Sequence, residues 1–184
     1  TIDGAGGADV INAGGGNDTI IFDASDTSVD GGAGTDTLVA SNSGDTIDLS
    51  VGSITNVENI TGGTGADTLT GDAAVNTINA GAGADIIDGG AGADTIDAGA
   101  GNDTVSYDAS DVSIDGGADT DTLQLGNGGV TYTLNTGNTS NFENITGGTG
   151  NDTLTGDGSA NVINGGSGND TLDGAGGADT LNGG

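Results

Sequence analysis

The residues of this chain whose types could do chemistry are carboxylates that return at a fixed spacing. In the middle of the sequence an Asp or Asn recurs every nine residues, at Asp67, Asn76, Asp85, Asp94 and Asp103. Carboxylate and backbone carbonyl oxygens are the ligands of hard cations. Calcium accepts about six to eight such oxygens in irregular geometry, whereas magnesium requires an octahedron and keeps several waters. The pattern therefore predicts several bound calcium ions.

These carboxylates belong to a nine-residue unit, whose positions are called places one to nine, as in GGTGADTLT at residues 62–70. Gly or Ala occupies places one to four in most units, and Asp or Asn occupies place six in most units. Place eight is apolar in all nineteen complete units. A period of nine fits neither a helix nor plain strand alternation. Places seven to nine suit a three-residue strand with its middle side chain inward, and the preceding glycines suit a tight turn.

Two units would form one flattened coil, and stacked coils would pair as parallel strands about 4.8 Å apart, in a rod of about nine or ten coils. Place-six side chains eighteen residues apart, such as those of Asp67 and Asp85, would then lie one above another. Stacked carboxylates repel one another unless a cation lies between them. The predicted side-chain ligands, of which the two Asn are the weaker, are Asp9, Asp18, Asp36, Asp45, Asp67, Asn76, Asp85, Asp94, Asp103, Asp121, Asp152, Asn161, Asp170 and Asp179.

A longer period lies above the nonapeptide. Residues 12–96 align without a gap on residues 97–181, an offset of 85 residues that equals nine units plus a four-residue insertion. The insertions occupy residues 49–52 and 134–137 and interrupt the phase of the repeat. We expect one continuous roll over residues 1–184. Because each copy contains an odd number of units, we expect the two copies to present corresponding place-six rows on opposite edges.

The chain has 28 acidic residues and no Lys, Arg or His, which gives a formal net charge of −28. Nucleic acid and anionic membrane surfaces require basic groups, so both are excluded as partners. No apolar run is long enough for membrane insertion. Without bound cations this charge would favour disorder. Glu58 and Glu143 have no neighbouring His, Lys or Cys and lie one in each long repeat, so we expect a structural role for them and no enzymatic activity.

Five units, at residues 31–39, 62–70, 89–97, 147–155 and 165–173, resemble the nonapeptide GGxGxDxUx of the RTX (repeats-in-toxin, haemolysin-type) calcium-binding family. The resemblance implies an all-β fold, a right-handed parallel β-roll or solenoid, with calcium held between turns by place-six Asp side chains and early-turn carbonyls. It also implies export by a type I bacterial secretion route and folding in calcium outside the cell, hence a secreted, extracellular or cell-surface location. The carbonyl ligands implied at places one and three are those of Gly31, Ala33, Gly62, Thr64, Ala80, Ala82, Gly89, Ala91, Ala98, Ala100, Gly147, Thr149, Gly165 and Ser167.

Several units depart from this motif at place six, where Thr27, Val112 and Val130 carry no carboxylate and Glu58 and Glu143 carry a longer one. In a further unit Asp119 replaces the fourth-place glycine and weakens the prediction for that turn. The fourteen Asp residues outside place six are predicted to be solvated surface charge. The stretches expected to bind calcium poorly are residues 22–30, 40–61, 107–115 and 125–146.

Three classes of function remain open. The long repeat and the lack of a catalytic set favour a non-catalytic, calcium-stiffened structural segment of a bacterial adhesin, surface layer or filament, with homo-assembly end to end or side by side. The second class is a C-terminal RTX secretion and folding module of an exported enzyme or toxin. The third is a flat face that binds ice or polysaccharide, but Ile86 and Gln124 interrupt the ranks of Thr, and aromatic side chains are nearly absent.

Overall fold

The computed structural model describes all 184 residues and consists of 22 short strands joined by turns. Except beside the two insertions, successive strands alternate between two faces, so two strands complete one coil, and the coils stack into a solenoid of about 10 turns. All strand pairs are parallel, and the predicted parallel β-roll is confirmed. The chain contains no helix that could span a membrane.

The two faces each contain one sheet of eight strands and one of three, with the strands numbered in chain order. The first face carries β1 (Ile2–Asp3), β3 (Thr19–Ile21), β5 (Thr37–Val39), β8 (Asn59–Gly63), β10 (Thr77–Gly81), β12 (Thr95–Asp97), β14 (Ser113–Asp115) and β17 (Thr139–Ser140), then β16 (Thr131–Thr133), β19 (Thr153–Thr155) and β21 (Thr171–Asp173). The second face carries β2 (Val10–Asn12), β4 (Ser28–Asp30) and β7 (Ile54–Thr55), then β6 (Thr46–Asp48), β9 (Thr68–Thr70), β11 (Ile86–Asp88), β13 (Thr104–Ser106), β15 (Thr122–Gln124), β18 (Asn144–Thr146), β20 (Val162–Asn164) and β22 (Thr180–Asn182).

The hydrophobic core is a single seam of place-eight side chains. Strands one coil apart pair in register, so that Leu69 of β9 lies opposite Ile87 of β11 and Ile87 opposite Val105 of β13. Side chains alternate across a strand, and the middle residue of each three-residue strand therefore points inward. All three of these side chains are fully buried. In the last coil Leu181 is 47% exposed, because no further strand covers it.

The turns depend on glycine where coils approach closely. Gly101 has a φ of 132°, in the left-handed region that L side chains rarely adopt. A Cβ at Gly101 would also collide with the carbonyl oxygen of Gly83, one coil earlier. Asp119 adopts a φ of 88° at the corresponding place of its own turn. The departure from glycine at that position is therefore accommodated with the same backbone conformation.

The four-residue insertions add a short strand to each copy of the long repeat. After β6, residues 49–52 form a turn, and β7 pairs with β4 before the chain crosses to β8. In the second copy β17 pairs with β14 in the same way. The nonapeptide phase assigns a single unit to residues 53–61 and another to residues 138–146. The structure has two strands in each of these units.

The two copies of the long repeat present corresponding rows on opposite edges, as the odd number of units predicts. Asp67 precedes β9, which belongs to the eight-stranded sheet of the second face. The equivalent residue, Asp152, precedes β19, which belongs to the first face.

Candidate metal centre

Place-six residues in the middle of the second face form a ladder of carboxylates. The backbone N–H of Asp67 donates to Oδ1 of Asp85 at 2.7 Å, that of Asp85 to Asp103 at 2.8 Å, and that of Asp103 to Asp121 at 2.8 Å. All four residues are at most 1% exposed. The predicted stacking of place-six side chains eighteen residues apart is therefore present.

The same backbone-to-side-chain bond joins the other predicted pairs. It runs from Asp18 to Asp36 (2.7 Å), from Asn76 to Asp94 (2.7 Å), from Asp152 to Asp170 (2.9 Å) and from Asn161 to Asp179 (3.0 Å). Both edges of the roll therefore carry stacked place-six side chains.

The two Glu residues continue these rows across the insertions. The backbone N–H of Asp121 donates to Oε2 of Glu143 at 2.9 Å, and that of Asp36 donates to Oε2 of Glu58 at 2.8 Å. The N–H of Asp45 likewise reaches Oδ1 of Asp67 at 2.7 Å, although 22 residues separate them. One uninterrupted row of acids therefore runs from Asp45 to Glu143. Sequence reasoning missed this continuity, because the insertion changes the spacing between stacked units.

Most place-six carboxylates have a second oxygen that is buried without a hydrogen-bond partner. These oxygens are Oδ2 of Asp9, Asp18, Asp36, Asp67, Asp85, Asp94, Asp103, Asp121 and Asp170. The second oxygens of Asp45 and Asp152 instead accept hydrogen bonds from Ser41 and from the N–H of Gly148. A buried ionised oxygen without a partner is costly unless a proton or a cation satisfies it. Because the chain has no basic side chain, a cation from solution fits this need.

The pKa values of carboxyl groups in this row also indicate a need for positive charge. Burial, and secondly repulsion from Asp85, raises the pKa of Asp103 to about 6. Burial and the charges of Asp103 and Glu143 raise the pKa of Asp121 to about 7. Burial is also the main cause that raises the pKa of Asp67. Burial in the row therefore makes ionisation of these carboxyl groups costly, and a nearby positive charge would offset that cost.

The carbonyls predicted as further ligands lie at the end of a strand or in the turn that follows it. Some already accept one hydrogen bond between coils: the carbonyl of Ala33 from the N–H of Gly16 and that of Ala100 from the N–H of Gly83, both at 2.8 Å. A carbonyl oxygen has a second lone pair for a cation. The chain contains no cluster of three or more acidic side chains that could hold a metal. An ion in these rows must therefore take most of its oxygens from the backbone and from water.

Asn76 and Asn161 differ from the Asp residues of the rows, because they carry no charge and because both polar side-chain atoms already make a hydrogen bond within the protein. Oδ1 of Asn76 accepts the N–H of Asp72 at 2.8 Å, and its Nδ2 donates to the carbonyl of Glu58 at 3.2 Å. Asn161 makes the equivalent bonds at 2.9 and 3.0 Å. These two predicted ligands therefore offer a cation no unpartnered oxygen.

The prediction for Asp111, one of the Asp residues expected to be solvated surface charge, is wrong. It is only 6% exposed, and its Oδ2 is buried without a partner. Burial raises its pKa to about 6. Val112, at place six of the same unit, is 64% exposed. The signal that could have found Asp111 is a carboxylate one residue before a place six occupied by an apolar side chain.

Comparison with known proteins identifies the repeat. None of the curated proteins compared with the chain matches it. The family model of the RTX calcium-binding nonapeptide repeat, which describes 4 copies, matches residues 1–29, 23–53, 56–85, 70–105, 139–172 and 156–184. These overlapping matches cover well over half of the chain and leave residues 54–55 and 106–138 outside them. The chain therefore belongs to the RTX (haemolysin-type) family of calcium-binding nonapeptide repeats.

Proposed function

We propose that this chain is a non-catalytic structural segment of a secreted or cell-surface bacterial protein, of the adhesin, surface-layer or filament type. It folds when it binds calcium outside the cell. The observation that carries this proposal is the row from Asp45 to Glu143, in which successive buried or half-buried acids are linked coil to coil. Within that row four carboxylates keep an oxygen without any partner.

The proposed side-chain ligands are the place-six Asp residues. They are Asp9, Asp18, Asp36, Asp45, Asp67, Asp85, Asp94, Asp103, Asp121, Asp152, Asp170 and Asp179. Calcium ions lie between consecutive coils, and turn carbonyls and water complete an all-oxygen shell. Asn76 and Asn161 are left out of this set, because an amide carries no negative charge and each amide oxygen already accepts a hydrogen bond from the protein.

The dependence of folding on calcium makes the chain fold outside the cell and not in the cytosol. In a calcium-poor cytosol the net charge of −28 and the unpartnered buried oxygens oppose compaction. Extracellular calcium modules bind with dissociation constants of about 10⁻⁴ to 10⁻³ M, a range that responds to the calcium outside a cell. Binding to the folded state alone then shifts the equilibrium toward the roll.

The hydrogen bonds of the two Glu residues support a structural role. Glu58 and Glu143 are occupied in accepting backbone N–H groups within the rows. The paired sheets run along the chain on both faces, which suits one continuous roll of two 85-residue copies. Rows on both edges stiffen such a roll on both sides.

The test is a calcium titration followed by far-UV circular dichroism and light scattering, with magnesium as the matched control. We expect a cooperative coil-to-β transition in calcium alone. Growth of scattering with the transition supports a self-assembling surface or filament protein over a solitary folding module. A spectrum that is already β-rich in chelator and does not change with calcium would contradict the proposal.

A further inference from the structure

We propose that Asp94 and Asp111 together hold an additional calcium ion in the unit at residues 107–115, although that unit lacks the consensus carboxylate at place six. The inference rests on the proposed calcium-dependent function and extends it to a turn outside the consensus repeats. Residues 106–138 also lie outside every match to the family model.

The two carboxyl groups are buried next to each other. Asp94 is 0% and Asp111 6% exposed. The backbone N–H of Asp94 donates to Oδ1 of Asp111 at 3.3 Å, the bond by which place-six residues are joined elsewhere in the rows. Each residue also has an Oδ2 that is buried and without a partner. The pair therefore repeats the arrangement of the consensus rows with a ligand taken from place five.

The conformation of the turn explains why Asp111 takes the place of Val112. The N–H of Asp111 donates to the carbonyl of Asp108 at 3.3 Å, which closes a tight turn. The N–H of Val112 then donates to the carbonyl of Asp94 at 2.8 Å, and its side chain points to solvent. Nδ2 of Asn138 donates to the backbone carbonyl of Asp111 at 2.8 Å, a second hydrogen bond that fixes the position of Asp111.

The equivalent residue of the first copy, Asp26, shows that the sequence position alone does not make this site. Oδ1 of Asp26 is also buried without a partner, but Oδ2 accepts the N–H of Asp23 within its own turn at 3.1 Å, and the residue is only half-buried. No bond from the N–H of Asp9 reaches Asp26, unlike the bond that joins Asp94 to Asp111. Ser53 stands where the second copy has Asn138. The proposal is therefore confined to Asp111.

The experiment compares wild type with Asp111→Asn, and uses Asp97→Asn as the matched control because Asp97 is exposed and loses the same charge. Two quantities are measured: calcium ions bound per chain, by equilibrium dialysis, and terbium luminescence excited through tyrosine. The chain has no Trp and only 2 Tyr. Tyr107 begins the same unit as Asp111, and Tyr132 packs against it with ring centroids 4.8 Å apart.

We expect Asp111→Asn to bind one calcium ion fewer and to lose most of the terbium emission, and Asp97→Asn to change neither. Unchanged counts and emission in a variant that still folds in calcium would overturn the inference and leave the proposed function intact. An absence of calcium binding in the wild type would instead overturn the proposed function itself.

A further variant answers the question if Asp111→Asn does not fold. Tyr107→Phe keeps the ring that Phe22 supplies in the first copy and removes the nearest sensitiser. A large loss of terbium emission at an unchanged calcium count supports an ion beside Tyr107. Emission that Tyr107→Phe does not alter contradicts it.

Discussion

Replacing Asp103 by Asn in the middle of the longest carboxylate row should change stability in opposite directions with and without calcium. Oδ1 of Asp103 accepts the N–H of Asp85, and its own N–H donates to Asp121, so Asp103 adjoins the spaces on both sides of its coil. Asn keeps an oxygen for the bond from Asp85 but removes the charge. The substitution therefore tests the carboxylate and not the fold.

The magnitude in calcium follows from mass action. With dissociation constants of about 10⁻⁴ to 10⁻³ M, each ion stabilises the fold by about 1.4 to 2.7 kcal/mol at about 10 mM calcium. Loss of the two ions that adjoin Asp103 therefore lowers the free energy of unfolding by about 3 to 5 kcal/mol.

The effect in chelator has the opposite sign. The pKa of Asp103 is raised from 3.8 to about 6, and each pKa unit corresponds to about 1.4 kcal/mol. Ionised Asp103 therefore weakens the calcium-free roll at neutral pH, by up to about 3 kcal/mol. The Asn variant removes this penalty and should increase the β signal in chelator.

The assay is urea unfolding followed by far-UV circular dichroism, in calcium and in chelator, for wild type, Asp103→Asn and the exposed control Asp97→Asn. The control should differ little from wild type in both conditions. Equal destabilisation of Asp103→Asn in calcium and in chelator would refute the reasoning, because a structural defect has no reason to depend on the ion.

Three further outcomes are expected. The pKa of Asp121 is raised to about 7, so in chelator its contribution to stability is fully present below about pH 4 and is lost as the pH rises through 7. Acidification should therefore increase the β signal in chelator, whereas in calcium it should release bound ions. Matched pH titrations of the two samples check both outcomes. Gly101→Ala should cost at least about 1 to 3 kcal/mol in thermal unfolding, whereas Gly158→Ala, with open space around its Cβ, should be nearly neutral. Leu69→Ala should cost about 2 to 5 kcal/mol, and Leu181→Ala much less because that side chain is 47% exposed.

The hydrogen bonding of individual turns was beyond prediction from the repeat. The role of Asp111 depends on a tight turn at Asp108 and on Asn138, 27 residues later. The satisfaction of Asn76 depends on the carbonyl of Glu58, one coil earlier. Glu143 joins the row because an extra strand follows the insertion, and the Glu side chain then reaches the amide of Asp121.

The amino-acid sequence by itself determined the parallel roll, the buried seam at place eight and the stacking of place-six Asp side chains. It could do so because a turn and a three-residue strand repeat every nine residues, and each coil meets a nearly identical coil above and below it. Only the tertiary structure decided which departures from the repeat still offer an unpartnered carboxylate oxygen. The physical reason is that such an oxygen is left over when its own turn places no donor within reach, as Ser41 is within reach of Asp45. How each turn folds depends in addition on bonds to coils 17 to 27 residues away along the chain.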